Sequence, residues 1–88
     1  MPRIVLTHGV VDIDRWLQGK EERAAAITGF GSNVRDHVAV DGRNQVAVTA
    51  DVDDLDGLQA MLASPPPEIA AQMERHGVVP PVVAYIER

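Results

Sequence analysis

The sequence predicts an α+β protein in which helices cover one face of a four-stranded antiparallel sheet. Valines alternate with other residues on both sides of a turn between Asn33 and Val52, which is the period of a half-buried strand. Apolar residues recur at helical spacing both before and after this segment. Short apolar runs flank the two helical segments, and they supply the remaining two strands.

The first part of the chain is predicted to contain one strand and one helix. Arg3 to His8 is β-branched and apolar, so it is read as strand one. Asp12 is a suitable N-cap, and the apolar spacing behind it predicts helix one from about Ile13 to Ala26. Gly29 and Gly31 end this helix and begin a loop.

The middle of the chain is predicted to be a β-hairpin that supplies strands two and three. One register satisfies both halves, and it pairs Val40 with Val46, Val38 with Val48, Asp36 with Ala50 and Val34 with Val52. The connection is then the three-residue loop Gly42-Arg43-Asn44, closed by Asn44 in the left-handed conformation.

The last part of the chain is predicted to contain a broken helix and a final strand. Asp53 or Asp54 caps the helix, and the segment Ser64-Pro67 interrupts it. Proline is tolerated in a first helical turn but not within a helix, so a second piece restarts near Pro66. Val82 to Ile86 is the last strand.

The predicted element order is βαββαβ, which right-handed crossovers fold into a single ferredoxin-like domain over residues 1–88. A chain of this length buries about two-thirds of its unfolded surface. Aromatic residues make up only 3% of the sequence, so valine and alanine must form most of the core. Burial against a second copy would enlarge this thin core.

Composition and motifs exclude several classes of function. The absence of cysteine excludes disulfides, thiolate zinc sites and a cysteine nucleophile. A net charge of −5 without basic blocks disfavours nucleic acids and anionic membranes as partners. There is no membrane-length apolar run and no signal-peptide pattern, so we expect a cytoplasmic protein. No dinucleotide or Walker motif and no histidine pair with metal-ligand spacing is present, so no cofactor and no metal are expected.

The sheet face opposite the valines is predicted to form a homodimer interface. The register pairs Arg35 with Asp51, His37 with Thr49, and Ala39 with Ala47 on this face. Small residues in the middle, surrounded by paired polar groups, suit packing on a second copy. The predicted interface therefore carries Arg35, His37, Ala39, Ala47 and Thr49.

Two segments resemble small proteins of the dimeric α+β barrel superfamily. They are THGVVDIDRW at residues 7–16 and VTADVDDLDGLQAMLASPPPEIAAQMERHGV at residues 48–78. The superfamily includes antibiotic-biosynthesis-monooxygenase-like and cyclase-like proteins, whose sheets pack face to face and whose pockets lie between sheet and helices. The resemblance implies a cofactor-independent monooxygenase- or cyclase-like enzyme acting on a small organic substrate. The catalytic residue sets of characterised members have no clear match here, so none of their roles is carried over.

Four residues are the candidates for the site. Asp36 falls on the valine face, where a carboxylate is costly to bury unpaired and could act as a proton acceptor. An edge position or a β-bulge could instead turn it to solvent. His8 closes strand one and has a pKa suited to acid–base work, so His8 and Asp36 are the catalytic candidates. Trp16 and Tyr85 are the predicted substrate-binding walls, although helical spacing also makes Trp16 a core residue.

The sequence is compatible with more than one role for the remaining histidines and with more than one function. His76 ends a helix, where an imidazolium would interact favourably with the helix dipole. The lack of a convergent catalytic set favours the alternative of a non-catalytic small-molecule-binding or structural dimer. A regulatory amino-acid-binding module is a third possibility, for which Gly9 is a faint match. Whether the protein is an enzyme is not decided by these residues.

Overall fold

Four strands and four helices follow one another along residues 2–88, which the computed structural model describes. They are β1 (Arg3–Val10), α1 (Ile13–Gln18), α2 (Lys20–Thr28), β2 (Gly31–Val38), β3 (Gln45–Val52), α3 (Leu55–Ala63), α4 (Pro67–Arg75) and β4 (Val78–Ile86). The strands form one sheet in the order β2-β3-β1-β4, and all neighbours are antiparallel. The predicted ferredoxin-like α+β fold is confirmed. No helix in residues 2–88 is long and apolar enough to cross a bilayer.

The core lies between the helices and one face of the sheet. Alternate residues of β1 and β3 are buried on that face, in agreement with the two-residue period of a strand. The helices add Trp16, Ile27 and Leu58, of which Trp16 is completely buried. Valine and alanine supply five of the ten buried apolar residues among residues 2–88, and the larger isoleucine, leucine and tryptophan side chains supply the other five, so the prediction that valine and alanine form most of the core is wrong.

The hairpin register differs from the prediction by two residues. Val38 pairs with Val46, and Val40 lies in the connection, where it is fully exposed. The connection is longer than predicted because the Gly42 N–H donates to the Ala39 carbonyl at 3.1 Å and forms a separate turn. A shift of two residues keeps every side chain on its predicted face, so Asp36 still points toward the helices.

β2 also contains a bulge, which lies before Arg35. The register shifts between Ser32 and Arg35, where Asn33 has a left-handed φ of 57°. The two-residue shift of the hairpin register, rather than the bulge, puts Arg35 opposite Thr49 and not opposite Asp51 as predicted. His37 lies opposite Ala47 instead of Thr49.

The predicted continuous first helix is wrong, because it is divided at Gly19. Its N-cap is confirmed, since the Asp12 carboxylate accepts the Arg15 N–H at 3.2 Å. At the division, the Gly19 N–H bonds to the Trp16 carbonyl at 3.1 Å. A Cβ at residue 19 would overlap the imidazole of His76, so only glycine permits this close approach.

The predicted break in the second helix is confirmed. Asp54 caps α3 by accepting the Gly57 N–H at 3.0 Å, and α4 begins at Pro67. β4 begins four residues earlier than predicted because it includes Pro80 and Pro81. Both prolines lie on an edge strand, where a missing N–H is tolerated.

The sheet face away from the helices, here called the open face, has an apolar half and a polar half. Its apolar half follows β1 and β4 and includes Val79, Val83 and Tyr85, which are 42%, 40% and 56% exposed. Its polar half follows β2 and β3 and carries Arg35, His37, Ala47, Thr49 and Asp51. Ala39 lies beyond β2 and its N–H bonds to Gln45, so the predicted Ala39–Ala47 pair is wrong.

Candidate functional site

A cavity of about 70 Å³ lies between the sheet and helices α2, α3 and α4. Four polar residues contribute to its lining: His8, Arg23, Gln72 and His76. The rest of the lining is apolar and consists of Leu6, Ala26, Ile27, Val48, Met61, Leu62, Ile69, Met73, Val78 and Val82. A mostly apolar cavity with a few convergent polar groups is the usual form of a small-molecule site.

His8 is a neutral imidazole in the lining of this cavity. Its Nδ1 lies 2.8 Å from the Gly9 carbonyl oxygen, and a carbonyl can only accept, so Nδ1 carries the hydrogen. Burial lowers the pKa of His8 below its ordinary value of 6.5, and the nearby Arg23 charge adds to that effect. The Nε2 lone pair is therefore free, with no hydrogen-bond partner in residues 2–88.

Trp16 packs against two residues of the site, Arg23 and His8. The Arg23 guanidinium carbon lies 3.8 Å from the centroid of the Trp16 ring, a cation–π contact. The His8 ring meets Trp16 edge-on, with centroids 5.9 Å apart. Trp16 Nε1 is buried without a partner in the described residues. The prediction that Trp16 belongs to the core is confirmed, and its side chain is not part of the cavity lining.

Asp36 is buried, and its charge is balanced by Arg23. Arg23 Nε donates to Asp36 Oδ1 at 3.3 Å, and its second terminal nitrogen donates to Oδ2 at 2.7 Å. The two side chains are 9% and 2% exposed. A two-point arginine–carboxylate pair fixes both groups in one geometry, so Asp36 holds Arg23 in place at the edge of the cavity.

His76 links Arg23 to the surface, and it is neutral. The first terminal nitrogen of Arg23 lies 3.2 Å from His76 Nδ1. Arginine can only donate, so Nδ1 accepts and Nε2 carries the hydrogen, which points to Glu22 Oε1 at 3.2 Å. His76 does end α4 as predicted, and both of its ring nitrogens are engaged by side chains of α2. Hydrogen bonds from His76 and then Arg75 lower the pKa of Glu22.

Sequence reasoning found His8 and Asp36 but missed Arg23 and His76 as members of the cluster. A signal for Arg23 was present, because it lies seven residues after Trp16 and four before Ile27, on their buried helical stripe. An arginine on one buried stripe and an aspartate on the facing strand predict an ion pair. No comparable signal marks His76, whose position depends on the close approach to Gly19.

Tyr85 is outside the cavity, so its assignment as a cavity wall is corrected. It pairs with Val5 and shares the open face with it, because alternate residues of β1 point to opposite sides of the sheet. His37 is also on the open face. No group of three residues suited to metal binding is found in residues 2–88.

Comparison with known proteins supports the fold. No family model matches the chain, and no curated protein matches it either. A candidate antibiotic biosynthesis monooxygenase from Deinococcus radiodurans has a similar structure, with a TM-score of 0.58, 14% identity, and coverage of 97% of this chain and 90% of that one. A structural-genomics protein from Agrobacterium tumefaciens gives a TM-score of 0.62 and 14% identity, with coverage of 100% and 92%. The chain has the fold of antibiotic-biosynthesis-monooxygenase-like structures. At this identity, the likeness concerns the fold alone.

Proposed function

We propose that the protein is a cofactor-independent enzyme that acts on a small organic substrate in the cavity, with His8 as the general base. The observation that carries the proposal is the protonation state of His8, which is a neutral imidazole. Its Nδ1–H is held by the Gly9 carbonyl, and its Nε2 lone pair is available beside an apolar cavity. A fixed neutral imidazole of this kind is suited to take a proton from a bound molecule.

The proposed first step is transfer of a proton from an acidic O–H or C–H group of the substrate to His8 Nε2. This step yields an imidazolium and a substrate anion. The Gly9 carbonyl then stabilises the imidazolium, and the Arg23 guanidinium in the cavity lining stabilises the anion. Asp36 is assigned a positioning role, because its carboxylate fixes Arg23.

In the monooxygenase form of the proposal, dioxygen is the oxidant of the substrate anion. A CH₂ group, such as that of the keto tautomer of a phenol, becomes C=O, one oxygen atom enters the product and the other leaves as water. The support for this form is the fold shared with the Deinococcus radiodurans protein.

Substrate access requires the cavity to enlarge. Its volume of about 70 Å³ is below the roughly 150 Å³ of an engineered cavity that binds benzene. Met61 and Met73 are in the lining, and methionine side chains repack easily around ligands. We expect these two side chains to move when a ring-sized substrate binds.

The experiment compares wild-type protein with His8→Asn and His37→Asn. Asparagine at residue 8 can keep the hydrogen bond to Gly9 but has no base at the Nε2 position, and His37 is the exposed histidine of the open face. Oxygen uptake and product mass are measured with a panel of small quinols and phenols. We expect His8→Asn to lower turnover by about 10²–10⁴-fold and His37→Asn to leave it unchanged.

Absence of oxygen uptake and of product with the wild-type protein would count against the enzyme. The alternative function is then a non-catalytic small-molecule-binding or structural dimer.

We also propose that two copies associate through the open face. Its apolar half exposes Val79, Val83 and Tyr85, next to the half-buried Val5. Contiguous exposed apolar residues of this kind mark interaction surfaces. The proposed interface is therefore centred on β1 and β4, whereas the sequence indicated β2 and β3.

A further inference from the structure

The charges around the cavity are already balanced. Arg23 is paired with Asp36, His76 is neutral because it accepts from Arg23, and His8 is neutral because of its burial. A bound carboxylate or phosphate would add a buried charge without a counter-ion, which is unfavourable. The site as built therefore favours a ligand without net charge.

The hydrogen-bonding groups that remain free are few. Both nitrogens of His76 are engaged, and four of the five N–H groups of Arg23 have partners. The free groups in the lining are His8 Nε2, which can only accept, one N–H of Arg23, and the side-chain amide of the half-buried Gln72. That amide makes no hydrogen bond within residues 2–88.

We infer that the cavity selects a compact, neutral ligand that carries a hydroxyl group, which donates to His8 Nε2 and accepts from Gln72. A ketone or ether has no hydrogen for Nε2, and an ammonium would add a positive charge beside Arg23. A hydroxyl group satisfies both needs with one oxygen atom. The apolar lining then contacts the hydrocarbon skeleton. This inference rests on the proposed function for the location of the site but not on turnover.

Binding of three matched ligands tests the inference. Cyclopentanol, methylcyclopentane and cyclopentanecarboxylate share one ring and differ in the group that His8 would meet. Trp16 is the single tryptophan of the chain and contacts both His8 and Arg23, so its fluorescence reports binding, and calorimetry gives the affinity. We expect the alcohol to bind at least about tenfold more tightly than the other two, which is the effect of one good hydrogen bond.

Three variants connect the selectivity to named side chains. We expect His8→Asn and Gln72→Met each to lower the affinity for cyclopentanol by about tenfold and to leave that for methylcyclopentane unchanged. Gln59→Met is the matched control, because Gln59 is exposed on α3.

Equal or tighter binding of the carboxylate or the hydrocarbon would overturn the inference, and so would failure of all three ligands to bind. None of the three ligands needs to react. Selective binding of the alcohol together with absent turnover would therefore sustain the ligand class while rejecting the enzyme.

Discussion

Asp36 and Arg23 lie in the interior as an ion pair, and neither charged side chain could be buried without the other. Each loses its hydration on folding, and each recovers only the hydrogen bonds that the other supplies, together with those from Arg23 to Trp16 and His76. Removal of one partner from a buried pair leaves an uncompensated charge, which costs much more than loss of an exposed pair.

We expect Asp36→Asn to lower the free energy of unfolding by about 3–5 kcal/mol. The matched control is Asp41→Asn, which breaks the exposed pair with Arg43 and should cost less than about 1 kcal/mol. Urea unfolding of both variants and wild type measures the difference. Equal effects of the two substitutions would show that the buried ion pair contributes no more to the free energy of unfolding than the exposed one.

The pKa of His8 predicts a pH dependence of stability. Burial lowers this pKa in the folded protein, whereas the unfolded chain has the ordinary value of about 6.5. Between the two pKa values the unfolded state binds more protons, so the free energy of unfolding rises with pH. The contribution of His8 to the free energy of unfolding is complete above about pH 6.5 and is lost as the pH falls through the folded-state pKa.

Urea unfolding at several pH values checks this dependence. We expect His8→Asn to reduce the slope below about pH 6.5, where the folded and unfolded chains differ in protonation of residue 8, and the control variant is His37→Asn, at an exposed residue. An unchanged slope in His8→Asn would assign the pH dependence to other groups.

Local pattern was sufficient to predict some site residues and not others. Asp36 and His8 could be predicted because each interrupts or ends an apolar strand. Arg23 and His76 could not be recognised as their neighbours, because their contacts depend on how α2 and α4 pack, and sequence spacing within one element does not contain that information.

At the scale of elements, the junction of α1 and α2 depends on residue 19. We expect Gly19→Ala to lower the free energy of unfolding by about 1–3 kcal/mol, because the new methyl group overlaps the His76 ring. Gly29→Ala is the matched control, since Gly29 has a right-handed helical φ of −63° and free space around it. That substitution should be neutral or stabilise by about 0.4–1 kcal/mol.

Thermal and urea unfolding of the two alanine variants test this expectation. The double variant Gly19→Ala/His76→Ala should recover part of the loss, because it removes the ring that the methyl group meets. Equal stability of Gly19→Ala and Gly29→Ala would mean that the close approach does not matter.

Helix α4 is expected to open more readily than α3. α4 has no fully buried side chain, whereas Leu58 anchors α3 at 1% exposure. The C-terminal end of α4 is held by Arg15, which donates to the carbonyls of Glu74 and Arg75 at 2.8 and 2.7 Å. We therefore expect amide hydrogen exchange to be fastest in the first half of α4, and similar protection of both helices would contradict this.

The hairpin register and the helix break at Gly19 could not be predicted from the sequence. The faces of the hairpin could be predicted from the alternation of valines, but the register could not. A slip of two residues preserves that alternation, and the turn at Ala39–Gly42 and the bulge at Asn33 decided between the possibilities. The break at Gly19 likewise depends on a contact with His76, which lies far along the chain.

For the whole molecule, the open face predicts the oligomeric state. We expect the wild type to sediment as a dimer and Val83→Asp to sediment as a monomer, because the substitution introduces a charge among exposed apolar residues of β4. Val40→Asp is the matched control, since Val40 is fully exposed in the hairpin connection and away from that face. A wild-type protein that stays monomeric at the highest concentration tested would reject the proposed interface.

The two outer strands also determine how this sheet can aggregate. Valine-rich strands have the composition that favours cross-β stacking, which begins when a new strand joins a long, regular edge. Pro80 and Pro81 interrupt the row of backbone donors on the β4 edge strand, and the Asn33 bulge interrupts the β2 edge. Lateral growth into fibrils is therefore blocked at both sides of the folded sheet, and this protein should resist amyloid formation for as long as it remains folded.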